Sequence, residues 1–144
     1  MSLFRVVIDT NVLLTTINRA NPEFFIYEAF RDKRFEWAVS TEVLAEYEEK
    51  ITEFYSPKTA DLVLTLLCTA TNVVFAEPYF VWSITEDADD NKFSNLALSV
   101  NALCLVTYDK GFNVFKTLDF PRLTILNPAE FKPICLGQKF NFEP

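Results

Sequence analysis

Short apolar runs alternate with helix-forming stretches along this chain, and that alternation limits the available folds more than any other feature. Five runs have the length and the content of β-branched residues typical of buried strands. They cover residues 4–8, 35–39, 73–75, 102–107 and 123–126. Strands that alternate with helices form a parallel sheet covered on both faces. The sequence therefore predicts an α/β fold with a central parallel sheet of about five strands.

The helical segments are marked by caps and apolar periodicity. Ser40 is a plausible N-cap for a helix over residues 41–54, and Pro22 and Pro57 stand where a proline can open a helix. Residues 23–34 and 57–68 are the helices that follow these prolines, and Asn127-Pro128 begins a short last helix. A further helix carries Phe93, Leu96, Ala97 and Val100, with the spacing of one buried face.

The chain has 144 residues, half of them hydrophobic, which fits one domain with a substantial core. We expect this domain to span residues 1–136, followed by a peripheral tail at 137–144. No apolar run approaches the ~20 residues of a membrane span, and the first strand begins too early for a signal peptide. The three cysteines are far apart in apolar surroundings, which predicts buried thiols in the cytoplasm.

Histidine is absent from the sequence. This excludes imidazole bases, Ser-His or Cys-His nucleophilic pairs and His-ligated zinc. Catalysis must therefore use carboxylates, hydroxyls, lysines or a bound metal. The net charge of −7 is unfavourable for a nucleic-acid partner, although two divalent cations would offset four of these charges.

Two aspartates follow predicted strands that can lie at one edge of the sheet. Asp9 follows the first strand and Asp109 follows the strand at residues 102–107. In parallel sheets, ligands bind beyond the carboxyl ends of the strands, and carboxylate oxygens suit Mg²⁺ or Mn²⁺. Either aspartate alone could be a turn or cap residue. Thr10 and Asn11, next to Asp9, could orient its carboxylate or a metal-bound water.

Two further acidic groups could join this set. Asp90 lies at the first turn of the Phe93 helix, where the helix dipole also favours a carboxylate; Asp87 is the second choice in this cluster and Asp89 the third. Glu46 lies on a helix crowded with glutamates, most of which must be solvated, but its position flanks the apolar stripe. Asp9, Glu46, Asp90 and Asp109 are therefore our candidate metal ligands and catalytic residues.

At these positions the chain resembles PIN-domain proteins of the group regarded as toxins of toxin–antitoxin systems. The segments that carry the resemblance are VVIDTNVLL, STEVLAEYEEKI, DADDNKFSNLALSVNALCLVTYDK and, more weakly, FPRLTILNPAEF. They extend from Arg5 to about Phe131. Each motif is weak by itself, but four of them in this order are specific.

The resemblance implies a Rossmann-like α/β/α domain that hydrolyses RNA with one or two Mg²⁺ or Mn²⁺ ions. The family's four acids would correspond to Asp9, Glu46, Asp90 and Asp109. Thr107 would be the hydroxyl residue that often precedes the last acid, and Asn11 the polar residue after the first. The resemblance also implies an antitoxin that covers the cleft and a homodimer. Tyr108 and Asn101 stand where small residues or glycine are usual, and Tyr108 could narrow access to the metal.

Three alternatives compete with a ribonuclease. A phosphatase of the haloacid-dehalogenase type needs an aspartate at the position of Asn11, and a response-regulator receiver needs paired acids after the first strand. Neither pattern is present. The third alternative is a catalytically weak PIN-like module that binds RNA or a partner.

Overall fold

A computed structural model describes residues 3–137 as a five-stranded, fully parallel sheet in the order β3-β2-β1-β4-β5. The strands are β1 (Arg5–Ile8), β2 (Glu36–Val39), β3 (Val73–Phe75), β4 (Cys104–Val106) and β5 (Ile125–Leu126). The predicted fold class is confirmed. The expected boundary at residue 136 stays a prediction, because all of the tail beyond Gly137 lies outside the described residues.

Within residues 3–137, six helices surround the sheet: α1 (Thr10–Thr16), α2 (Phe25–Arg31), α3 (Thr41–Phe54), α4 (Pro57–Thr69), α5 (Asn91–Ser99) and α6 (Pro128–Cys135). The same part of the chain has three 3₁₀ segments, at Pro22–Phe24, Ala88–Asp90 and Lys110–Thr117. Three consecutive residues of β1, Val6, Val7 and Ile8, are fully buried. Because neighbouring strand residues point to opposite faces, this burial means that both faces of the sheet are covered, giving three layers.

The strand order places a topological switch point between β1 and β4. The chain runs from β1 outward to β3, then crosses back to β4 on the other side of β1. Ile8 is level with Val106 in the register of these two strands. Loops leaving adjacent strands at a switch point diverge and leave a crevice at the carboxyl edge, where ligands of such sheets bind.

Tyr47 fastens α3 to this edge. Its hydroxyl donates a hydrogen bond to the carbonyl of Ile8 and accepts one of 3.3 Å from Nε1 of Trp37. The ring is fully buried, and this burial raises the pKa of Tyr47 far above its ordinary value, so the hydroxyl keeps its proton. The contact fixes the turn of α3 that also carries Glu46.

Several details differ from the sequence-based expectations. Helix α1 was not predicted, because its sequence, TNVLLTT, is rich in β-branched residues and lacks helical periodicity. Cys104 and Cys135 are buried as expected, but the prediction for Cys68 was wrong, since its side chain is exposed. It lies on α4, whose outer face also exposes Leu62 and Leu66. Within residues 3–137, no helix is both long and apolar enough to span a membrane.

We predict that Tyr47→Phe lowers the free energy of unfolding by about 1–3 kcal/mol, because Ile8 and Trp37 would lose their partner in a buried site. Urea denaturation measures the change. Tyr55→Phe is the matched control, since the Tyr55 hydroxyl also donates to a main-chain carbonyl, that of Leu14, but its side chain is 43% exposed. An effect at position 47 no larger than that at position 55 would contradict this role of Tyr47.

Candidate metal centre

Asp9 is held rigidly at the end of β1. It is the N-cap of α1, and its Oδ1 accepts a 2.8 Å hydrogen bond from the main-chain N–H of Thr10. Its Oδ2 accepts a 2.7 Å hydrogen bond from the hydroxyl of Thr107, the residue that follows β4. Both side chains are buried. The sheet register and these two hydrogen bonds hold the Asp9 carboxylate at the crevice between β1 and β4.

Thr107 also joins Asp9 to Asp109. The Thr107 hydroxyl accepts a 2.9 Å hydrogen bond from the main-chain N–H of Asp109 while it donates to Asp9. Asp109 caps the following 3₁₀ segment, with Oδ1 accepting 2.8 Å from the N–H of Gly111. One threonine therefore sets the relative position of two of the candidate acids.

Asp90 reaches Asp109 from the other side of the crevice. It lies where the 3₁₀ segment Ala88–Asp90 passes into α5, and its carboxyl is hydrogen-bonded to that of Asp109. Together they border a cleft of about 440 Å³. Its lining residues are Ile84, Glu86, Asp87, Asp90, Asp109, Lys110, Gly111 and Val114.

The crowding of carboxylates alters their protonation. The pKa of Asp90 is raised from 3.8 to about 7, first by burial, then by the hydrogen bond and charge of Asp109 and by the charges of Asp87 and Asp9. Burial also raises the pKa of Asp9, against the lowering effect of its bonds from Thr107 and Thr10. The cleft thus holds negative charge that its own hydrogen bonds do not fully compensate.

Glu46 has a different environment from the other acids. Its Oε1 lies 2.9 Å from Nζ of Lys92, and its Oε2 accepts a hydrogen bond from the Thr10 hydroxyl. Burial alone would lower the pKa of Lys92, but the contact with Glu46 and nearby acids outweighs it and raises the pKa. Glu46 is near enough to Asp9 to raise the pKa of that carboxyl as well.

The remaining residues proposed from sequence lie at the periphery. Asn11 is exposed beside Asp9. Asp87 lines the cleft, and its Oδ1 accepts 3.0 Å from the N–H of Asp89, so it serves as a cap as well. Tyr108 is exposed and does not line the cleft.

Asn101, at a position where the resemblance implies a glycine, has a main-chain conformation that glycine favours. It has a φ of 54° beyond the C-terminal end of α5, in the left-handed region. Asparagine tolerates this region better than other residues with a side chain.

The donor set fits a hard divalent cation. Every candidate ligand is a carboxylate oxygen, the type that Mg²⁺ and Mn²⁺ prefer. Gly111 keeps the approach to the acids open, because a Cβ there would lie 3.1 Å from Oδ1 of Asp109 and 3.5 Å from Oδ2 of Asp90. Within residues 3–137, no three His, Cys, Asp or Glu side chains are already arranged as a metal-ligand group. These residues supply the type of oxygen ligand that such an ion prefers, and their side chains must move closer together to coordinate it.

Two contributors to this site were missed from the sequence. Gly111 is one of only two glycines in the chain, which was a usable signal. Lys92 is the second contributor. Its pairing with Glu46 joins α5 to α3 across 46 positions of sequence, and no local pattern reports such a contact.

Known proteins resemble this chain over most of its length. A family model of the PIN domain matches residues 5–111. No curated protein matches the chain significantly. Among solved structures, VapBC2 from Rickettsia felis bound to a DNA fragment from their promoter aligns with a TM-score of 0.60 at 19% identity, covering 85% of this chain and 98% of that one.

Two further structures are similar in fold. FitAcB from Neisseria gonorrhoeae aligns with a TM-score of 0.52 at 17% identity, over 86% of this chain and 98% of its own. DNA-bound VapBC from Salmonella typhimurium aligns with a TM-score of 0.55 at 16% identity, over 88% and 99%.

The raised pKa of Asp90 predicts a pH-dependent stability in metal-free protein. A carboxyl with a higher pKa in the folded state stabilises the fold at low pH, and that contribution is lost as pH rises from about 4 to about 7. Over this window in EDTA, the melting temperature of the wild type should fall more than that of Asp90→Asn, in which the group cannot ionise. Parallel melting curves for the two proteins would show that Asp90 titrates normally.

Proposed function

Because this chain belongs to the PIN domain family, we propose that it is a metal-dependent endoribonuclease with Asp9, Glu46, Asp90 and Asp109 as its active site. The observation that carries the proposal is the clustering of these acids near the switch point between β1 and β4. Thr107 bridges Asp9 and Asp109, and Asp90 and Asp109 both border the cleft beside Gly111. Acids with perturbed pKa values in a cleft are typical of functional sites.

The cofactor in this proposal is Mg²⁺ or Mn²⁺, with Asp9, Asp90 and Asp109 as the residues that would hold it. Such an ion, when bound, activates water at neutral pH and neutralises charge on a phosphodiester. Glu46 and Asp87 border this group, and Asn11 is exposed on the same side as Asp9, where it could contact substrate.

The chain's own residues would prepare this site in defined ways. Thr107 and the N–H of Thr10 hold both oxygens of Asp9 in place, so little side-chain freedom is lost when a ligand binds. The Thr107 hydroxyl keeps Asp109 beside Asp9. With no histidine in the chain, a proton from the attacking water must pass to a carboxylate or to solvent.

Metal dependence follows from the charge of the cleft. Four carboxylates border it, those of Glu86, Asp87, Asp90 and Asp109, and the phosphodiester is itself an anion. Without a cation the cleft and the phosphodiester would repel each other. The net charge of −7 on the protein gives no compensating attraction at long range. The same charges make a bound cation a strong stabiliser of the native state.

In its biological setting, we propose that the protein is the toxin of a cytoplasmic toxin–antitoxin pair. The PIN family match and the likeness of the fold to VapBC2, VapBC and FitAcB support this. The proposed partners are an antitoxin that covers the cleft and a second copy of the chain. Light scattering of the purified protein tests the homodimer, and a monomeric mass would remove it from the proposal.

The direct test is incubation of the protein with mixed RNA in Mg²⁺ or Mn²⁺. We expect cleavage that EDTA abolishes and that Asp9→Asn reduces by more than about 100-fold, since loss of even an outer-shell partner of a metal typically costs about 10–100-fold. Asp61→Asn is the matched control, because it removes the same charge from an exposed position on α4. It should cleave like the wild type.

The alternative outcomes separate the remaining possibilities. Cleavage that persists in Asp9→Asn would show that the activity does not come from this site. Absence of cleavage, together with metal-induced stabilisation that Asp9→Asn abolishes, would favour a PIN-like binding module. Absence of both effects would refute the metal site.

A further inference from the structure

Glu46 has a cationic partner within the protein. Lys92 on α5 places Nζ 2.9 Å from Oε1 of Glu46 on α3, and the Thr10 hydroxyl donates to the other oxygen. Each side chain of the ion pair is only 18% exposed. Because a partly buried pair is weakly screened by water and salt, the contact holds the Glu46 carboxylate in one place.

The acids of the site divide into two ends, with Asp9 between them. Asp9 is linked to Glu46 through Thr10, which donates its N–H to Asp9 and its hydroxyl to Glu46, and to Asp109 through Thr107. The open cleft is lined by Glu86, Asp87, Asp90 and Asp109, with Lys110 at its border. Lys92 therefore pairs with the acid at the Glu46 end, whereas none of the ion pairs of residues 3–137 involves an acid of the cleft end.

We propose that Lys92 is a positioning residue that keeps Glu46 as its ion-pair partner, so that the site takes one divalent cation and not two. The inference rests on the proposed metal site. It differs from that proposal in assigning to Glu46 a partner within the protein. In this assignment Glu46 shapes the charge around Asp9 without binding the ion.

Two physical reasons support a single ion. A lysine ammonium is a compact point charge, and it already occupies a place among the acids where a second cation would have to bind. A second divalent ion near Glu46 would have to displace Lys92, leaving that ammonium without its partner in a partly buried position. The cleft end has no such competing cation against Asp90 or Asp109 among the ion pairs of residues 3–137.

The number of bound ions tests this directly, without reference to activity. Mn²⁺ is titrated to millimolar concentration against the full chain, and free Mn²⁺ is counted by electron paramagnetic resonance. We expect one ion for the wild type and one for Glu46→Gln. We expect two for Lys92→Met, because Glu46 then becomes available as a ligand, and one again for the double variant Lys92→Met/Glu46→Gln.

Lys50→Met is the matched control, since Lys50 pairs with Glu53 at 3.4 Å on the exposed surface of the same helix, α3. It should bind one ion. Lys92→Arg should also bind one, because it conserves the charge beside Glu46. Melting curves add a second measurement: Lys92→Met should melt lower than the wild type without metal, and Mn²⁺ should narrow that difference.

Each result has a distinct meaning. Two ions in the wild type, no ion in Glu46→Gln, or a single ion in folded Lys92→Met would overturn the assignment. If Lys92→Met does not fold, two ions in the wild type or none in Glu46→Gln would still overturn the assignment. No bound ion in the wild type would instead refute the proposed metal site. RNA cleavage by a wild type that binds two ions would support the nuclease proposal while overturning the single-ion assignment.

Discussion

Acidic side chains are crowded at the β1/β4 edge, and the framework around them has to hold them there. The pKa values of Asp9 and Asp90 are raised, first by burial and then by the charges of neighbouring acids. A fold can hold like charges together only if the surrounding framework is rigid. Here the register of two parallel strands, the N-cap geometry of α1 and the double role of Thr107 provide that rigidity. The apolar core beneath this edge offsets the stability that is lost by crowding the acids.

The elements that carry the acids are themselves fixed by buried contacts. Tyr47 ties α3 to the end of β1 through Ile8, and it packs edge-to-face against Trp37 at a ring distance of 6.3 Å. Asn91 and Asn95 of α5 accept hydrogen bonds from Thr85 and Trp82, which anchors the loop in front of Asp90. Each acid thus stands on an element whose position is set by side chains several residues away, as precise sites require.

Much of this arrangement could be predicted from local sequence. The bounds of α3 and its Ser40 N-cap agree with expectation, because a capping serine and an apolar stripe are local signals. The edge positions of Asp9 and Asp109 follow from strand ends and parallel topology. Helix α1 could not be predicted, since its residues favour strands and its stability comes from packing, with five of seven residues buried.

Contacts between segments that are distant in the chain could not be predicted from the sequence. The approach of Asp90 to Asp109 and of Lys92 to Glu46 depends on how α5 is placed against the sheet and against α3. The exposure of Cys68 also depends on tertiary packing. Helix α4 is apolar on more than one face, so its composition does not show which face is buried against the rest of the protein. Periodicity reports the face of a helix, but the partner of that face is a tertiary property.

We propose that Asp9, Asp90 and Asp109 form one divalent-cation site. A crystal structure of the protein grown with Mn²⁺, phased on the anomalous signal of manganese, would test this site most directly. We expect an anomalous peak between these three carboxylates, within ~2.0–2.3 Å of their oxygens. A well-ordered cleft without a peak, or manganese bound only elsewhere on the molecule, would contradict it.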